Sequence, residues 1–311
     1  MAARSDTALR ARRIAQGATL AAALACALTA APALAQSPKP AGAAGTPAKE
    51  LFGRADTAAA ALAPRAIGFY SKGCLAGGAA LPVNGPNWQV MRLSRNRNWG
   101  HPELVAFLER FAAEVPKVAK WRGILVGDMA QPRGGPMRTG HASHQVGLDA
   151  DIWLTPEPDR ELSRDEREKI SASMMVRADR RDIDPANWRP DHWKVIRLAA
   201  RDPLVERIFV NAAIKKALCR EATGDRSWLA KVRPYWGHDY HMHVRLSCPK
   251  DSPECRPQEA IPGGEGCDSE LDWWFSDAVL NPKPDPTPSK PKPPLTLADL
   301  PEACTGVLNA R

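Results

Sequence analysis

Five of the seven histidines of this 311-residue chain fall in two separated segments, GHASHQVGLDADIWL at 140–154 and GHDYHMHVRLSC at 237–248. Together they offer His144, Asp151 and His243, two imidazoles and a carboxylate, the kind of donor set that holds a catalytic zinc and leaves one position for water. Spacing supports a shared site. In LDADIWL the apolar Leu148, Ala150, Ile152 and Leu154 alternate with Asp149, Asp151 and Trp153, so an extended strand turns both aspartates to one face. Met242, Val244, Leu246 and Cys248 alternate in the same way with His241, His243, Arg245 and Ser247, which puts both histidines of H-M-H on one polar face. Two strands with matched polar faces can share one ion. The helical H-E-x-x-H pair of the commonest zinc proteases does not occur, so zinc-assisted hydrolysis from a sheet is the expected chemistry.

These segments, with SKGCLAGGAALP, QVMR, GHPELVAFL, LVGDMAQPRGG, RIFVNAAIKKALC, WLAKVRP and CPKDSPEC, run from about Gly68 to Cys304. They resemble the penicillin-insensitive murein endopeptidases, relatives of the D-Ala-D-Ala peptidases, the lysostaphin-type enzymes and the hedgehog signalling domain. The resemblance implies that His144, Asp151 and His243 bind the catalytic Zn2+, that His241 does acid–base work, and that His238 flanks the same site. An imidazole with an ordinary pKa near about 6.5 can take a proton from water or give one to a leaving amine. The implied substrate is the D,D cross-link of peptidoglycan, the amide between D-alanine and meso-diaminopimelate on neighbouring stem peptides. No S-x-x-K motif occurs, in keeping with an enzyme that forms no serine acyl intermediate.

The resemblance also implies a second zinc at a subunit contact, and so a homodimer, using His141 with an aspartate and a histidine further on. RADRRDID offers Asp179, and Asp182 stands where the histidine is expected. It further pairs Cys74 with Cys304, Cys219 with Cys267 and Cys248 with Cys255. Asp149, on the face of Asp151, and Trp236, beside the second segment, are expected to touch substrate. His101 and His192 precede helical stretches and read as capping or packing residues. The competing readings are a D,D-carboxypeptidase or dipeptidase, and a non-catalytic peptidoglycan-binding domain.

The elements that must position these residues follow from periodicity. Strands are expected at Gln89–Ser94, Gly123–Asp128 and around Arg207–Val210. A helix from Pro102 to about Val115 carries Leu104, Phe107, Leu108 and Phe111 at helical spacing, and further helices are expected at 163–175, 191–201 and 210–220. This order predicts an α+β fold, one zinc peptidase domain over 66–280 with a small central antiparallel sheet flanked by helices.

Composition supplies the frame. Residues 1–35 have a basic start (Arg4, Arg10, Arg12, Arg13), an apolar core and Ala33-Leu34-Ala35 before Gln36, the pattern of a secretory signal and not of a lasting membrane anchor. A Pro/Gly/Ala-rich linker follows over 36–65, and the tail at 281–311 begins with NPKPDPTPSKPKPP, a semi-rigid spacer. Cys26 leaves with the signal, and the other six cysteines form an even set suited to the periplasm, open by count alone to fifteen pairings. The chain carries +8, and dropping four arginines and Asp6 with the signal leaves +5. That balance favours anionic partners such as the carboxylates of stem peptides; nucleic acid is not expected, because the chain is exported and carries no nucleic-acid motif.

Overall fold

The computed structural model describes residues 45–283 and 292–311. The expected signal at 1–35 and the centre of the proline-rich run lie outside them. In chain order the strands are β1 (Arg65–Phe69), β2 (Lys72–Ala76), β3 (Ala79–Ala80), β4 (Asn84–Gly85), β5 (Trp88–Val90), β6 (Trp99–Gly100), β7 (Ile124–Val126), β8 (Asp149–Pro156), β9 (Val205–Val210), β10 (Val232–Pro234) and β11 (His241–Leu246). The helices are α1 (Ala48–Phe52), α2 (Pro102–Val118), α3 (Arg164–Lys169), α4 (Pro190–Arg201), α5 (Ala212–Glu221), α6 (Ser269–Trp273), α7 (Asp277–Leu280) and α8 (Ala303–Asn309).

The central sheet is larger than expected and mixed: seven strands in the order β10-β9-β11-β8-β7-β5-β4. β5 runs parallel to β7, and β9 parallel to β10. Each parallel pair is joined through a helix, α2 in the first and α5 in the second, because a strand can return in the same direction only by a crossover. Both helices were expected from their apolar spacing; the crossovers they make were not, and hence the antiparallel expectation is corrected to a mixed sheet. The helix expected over 163–175 stops at Lys169. Beyond it Ser173 N–H donates to Thr155 Oγ1 at 2.8 Å and Met175 N–H to the Asp239 carbonyl at 2.8 Å, so this stretch lies extended along the sheet.

β8 and β11 occupy the middle of the sheet and are buried on both faces. Ala150, Ile152, Leu154, Met242, Val244 and Leu246 are 0% exposed and form the apolar side. The other side carries Asp149, Asp151, His241, His243 and Arg245, all buried. Register sets Asp151 opposite His243 and Asp149 opposite Arg245, and a slip of one residue would turn every charge into the apolar core. Asp149 secures this register: it accepts from Arg245 Nε at 2.8 Å and Nη2 at 3.2 Å. Burial alone would raise its pKa, but the charges of Arg245 and His243 hold it far below the ordinary carboxylate range.

A second, smaller core joins the two ends of the described chain. Ala48 and Phe52 of α1, inside the segment expected to be a linker, pack with Ile67, Cys74, Leu300, Cys304 and Val307. The three expected disulfides are present: Cys74–Cys304, Cys219–Cys267 and Cys248–Cys255. The first spans 230 positions, and closing a loop of that length contributes about 5 kcal/mol in the chain-entropy model. No helix among the described residues is long and apolar enough to cross a membrane.

Two outcomes follow from this architecture. Replacing Cys74 and Cys304 together by serine should lower the unfolding free energy by about 2–5 kcal/mol in denaturant titrations; an unmoved midpoint would show that the clamp contributes nothing. Asp149→Asn leaves Arg245 buried without its counter-charge and should lose about 3–5 kcal/mol. Because the folded pKa of Asp149 lies below an unfolded value of about 3.9, its stabilisation is complete above that pH and fades below it, so the variant should show a flatter stability profile in acid.

Candidate metal centre

Asp151 projects from β8 into a ring of imidazoles. Its Oδ1 lies 3.2 Å from His243 Nδ1, 3.4 Å from His144 Nε2 and 3.5 Å from His241 Nε2, and its Oδ2 lies 3.5 Å from His141 Nδ1. The rings of His141 and His144 are 4.4 Å apart, and those of His144 and His243 are 4.5 Å apart. His144, His241 and His243 thus all approach Asp151 Oδ1, but the compact donor group holds His141 and not His243. His141, His144 and Asp151 each offer a donor atom, all within 4.8 Å of one another, which makes a possible metal-binding site.

The two histidines of β11 arrive by strand alternation, whereas His141 and His144 arrive on a loop that has to be bent. His144 has φ 65°, a left-handed conformation uncommon outside glycine, and such residues persist at functional sites when their surroundings hold them. Here Asp149 Oδ2 accepts from the His144 backbone N–H at 2.9 Å. Gly147 closes the loop with φ 74°; a Cβ there would stand 2.9 Å from His101 N and 2.8 Å from the Leu75 side chain. Asp149 thus fixes the loop and the β8/β11 register at once. Expected to touch substrate, it is instead 0% exposed beneath the site.

Several of these atoms are buried without hydrogen bonds. Neither ring nitrogen of His144, nor Asp151 Oδ1, nor His241 Nδ1 makes one, and leaving a buried polar atom unpaired costs about 1–3 kcal/mol. Unpaired imidazole nitrogens around a carboxylate are what a divalent cation would satisfy, so the donor set fits zinc. Burial would make His243 hard to charge, yet Asp149 and Asp151 overcome it and push its pKa up to about 9. Carboxylates that favour a proton there equally favour a metal ion. On its far side, His243 Nε2 lies 3.1 Å from Asp149 Oδ1 without a hydrogen bond, a carboxylate placed behind the ring where it would support a ligating imidazole.

His241 and His238 are held in the opposite state. Burial lowers the pKa of His241 despite Asp151, and burial followed by the charges of His241 and His243 pushes His238 down to about 4. The His238 ring lies 4.8 Å from that of His241. Its Nδ1 is 2.8 Å from the Trp236 carbonyl, so Nδ1 carries the proton and donates, while Nε2 remains an acceptor.

Two cavities meet at this cluster, His141 lining both. One, of about 320 Å³, is walled by Arg92, Arg95, Trp153, Met174 and Tyr240; the other, of about 350 Å³, by Phe69, Phe209, Tyr235, His238 and Gln258. Trp236 is 52% exposed in the loop before His238, with its ring 4.8 Å from that of Trp274.

Among the described residues of one chain, His141, Asp179 and Asp182 do not form one group of possible ligands. His141 has joined the Asp151 cluster, Asp179 pairs with Arg177, and Asp182 accepts from Arg220 Nη1 at 3.1 Å. Among the described residues neither aspartate belongs to a group of three or more possible ligands; the neighbouring cations neutralise them instead. His101 caps α2, accepting from Glu103 N–H at 3.3 Å, and His192 is buried against Trp188. Sequence reasoning missed Asp128. Its Oδ2 accepts from Arg95 at 2.9 Å and Arg97 at 2.8 Å and lies 2.9 Å from His141 Nε2, which orients that ring. A carboxylate ending an apolar strand, in LVGDM, was the available signal.

The model of the penicillin-insensitive murein endopeptidase family matches residues 66–309. A Yersinia enterocolitica protein of that name is 46% identical over 231 residues, covering 74% of this chain and 83% of the relative. Proteins of the same name from Haemophilus influenzae and Klebsiella pneumoniae are 45% identical over 248 residues and 44% identical over 246, covering 82% and 86% of their own lengths. The match spans nearly all of the folded residues, including every member of the histidine cluster, and this chain belongs to the penicillin-insensitive murein endopeptidase family.

Proposed function

We propose that this chain is a zinc-dependent endopeptidase of the periplasm that hydrolyses the D-alanyl–meso-diaminopimelyl cross-link of peptidoglycan. His144, Asp151 and His243 would hold the ion, with His141 completing the ring of donors around Asp151. The observation that carries the reading is the set of buried, unpaired donors around Asp151, in a chain whose relatives are named for cleaving murein. Zinc, when bound, lowers the pKa of water to about 7 and polarises a carbonyl.

The chain's own residues supply the rest. His241 is kept neutral by burial, so it can accept a proton from the attacking water and pass it to the departing amine. His238, held in one tautomer by the Trp236 carbonyl, has its ring 4.8 Å from that of His241. The aromatic wall of Phe69, Phe209 and Tyr235 limits water on one side and strengthens the electrostatic contacts there. Three disulfides are in keeping with an oxidising compartment. A cleft with a cavity on each side of Asp151 suits a substrate that continues in both directions, which favours cross-link cleavage over removal of a terminal residue.

Purified protein incubated with cross-linked dimeric muropeptides should release monomers, identified by mass. Release of terminal alanine would establish a carboxypeptidase, and no reaction by zinc-loaded protein would leave a binding domain. A chelator should abolish hydrolysis and added zinc restore it; hydrolysis indifferent to chelation excludes the metal mechanism. His241→Ala should retain zinc while turnover falls by roughly 10²–10⁴-fold, and undiminished turnover would move the proton transfer to another group.

A further inference from the structure

The two halves of the cleft differ in charge. In the first cavity the Arg92 guanidinium donates from Nη1 to the Arg167 carbonyl at 2.6 Å and from Nη2 to the Ile170 carbonyl at 2.7 Å, and it lies 5.2 Å over the Trp153 ring. These partners hold the side chain in place and are all neutral, so its charge is not cancelled; no carboxylate among the described residues pairs with it. Arg95, with a side chain 46% exposed, has one carboxylate partner, Asp128 Oδ2 at 2.9 Å. That same oxygen also serves Arg97 and His141. Asp151 lines the same cavity, but its oxygens face the four imidazoles; Asp128 is shared among two guanidinium groups and an imidazole, so Arg95 has only a shared carboxylate and Arg92 has none. In the second cavity the cation is Arg245, and Asp149 neutralises it at 2.8 Å; Phe69, Phe209 and Tyr235 make the remaining wall largely aromatic.

We propose that the Arg92/Arg95 cavity is a carboxylate subsite that receives the strand on the amine side of the scissile bond. Meso-diaminopimelate carries a free carboxylate on the carbon that bears the scissile nitrogen, so a substrate whose amide lies at Asp151 must place that carboxylate immediately beside the reacting atoms. Arg95 spends Nη1 on Asp128 and keeps the other N–H groups of its fork, the geometry that suits a planar carboxylate. Tyr240, adjacent in sequence to His241, lines the same cavity and is 38% exposed; its hydroxyl can add a second donor. The acyl strand then occupies the aromatic half. This assignment rests on the endopeptidase reading and adds the direction in which the cross-link lies across the centre.

The test uses full-length zinc-loaded protein and two cross-linked muropeptide dimers, identical except that the carboxylate beside the scissile nitrogen is free in one and a carboxamide in the other. The free acid should be preferred by roughly 10- to 100-fold in kcat/KM, mainly through KM, and Arg95→Met should bring that ratio close to one. Equal cleavage of both dimers by the unaltered protein overturns the subsite without recourse to any variant, as does a preference that survives Arg95→Met. Cleavage of neither dimer instead overturns the endopeptidase reading, and the subsite falls with it.

Discussion

The buried carboxylate of Asp149 is the point on which the site depends. It accepts two bonds from Arg245 across the β8/β11 ladder, lies against His243, and holds the backbone N–H of His144. Strand register, orientation of one candidate ligand and conformation of the loop bearing another therefore rest on one side chain with no exposure to water. Burying a charge is tolerable when it is paired and its lone pairs are filled, and Asp149 meets that condition through groups that the site needs in place anyway. Asp151, two residues on, has the opposite character. It is nearly as buried, at 4% exposed, but is surrounded by imidazoles several of whose nitrogens are left unpaired, a state a folded chain tolerates where a ligand completes it.

A candidate metal centre in the middle of a sheet needs rigid support, and the surrounding architecture provides it. β8 and β11 have neighbours on both sides, so neither is an edge strand free to slip. Asp128, at the end of β7, reaches His141 from behind as Asp149 reaches His243, so two of the four imidazoles around Asp151 have a carboxylate at their back. Such supports pre-orient donors before any ion arrives and raise their basicity. The smaller core and the Cys74–Cys304 bridge fasten the two ends of the described chain behind the β1/β2 hairpin, and β2 in turn packs against the Gly147 loop through Leu75. Stability at the periphery is thereby connected to the geometry of the loop that carries His144.

The two sides of the cleft have different walls. His241 lines the cavity walled by Arg92 and Arg95, and His238 the one walled by Phe69, Phe209 and Tyr235, so an imidazole with a lowered pKa stands on each side of the centre. Burial acts in opposite senses on adjacent histidines of one strand. His243, with two carboxylates at hand, is drawn toward positive charge, whereas His241, with less compensation, is driven from it. Two residues of the same type in one H-M-H triplet are in this way driven to opposite charge states.

Strand alternation is a local property, and for that reason LDADIWL and HMHVRL already disclosed which aspartates and histidines share a face; the apolar spacing of α2, α4 and α5 was readable on the same grounds. The disulfide pairs followed from resemblance, which carries information that one chain's periodicity does not. Other features depend on contacts between residues far apart in sequence. The crossovers that make the sheet mixed, the extended path of 170–176 and the packing of α1 onto the C-terminal helix are set by which surfaces find each other, and no window of neighbouring residues encodes that. The roles of the polar residues were hidden in the same way. Alternation placed Asp149 and Asp151 on one face as equals, and folding made one an anchor and the other the centre, because Arg245 stands opposite the first and His243 opposite the second. His141 faces Asp128 and Asp151, while Asp179 pairs with Arg177 and Asp182 with Arg220 and Lys216, pairings that no local spacing announces. A side chain's type and spacing limit what it can do, but its charge state and partner are fixed by the desolvation and the neighbours that only the assembled sheet supplies.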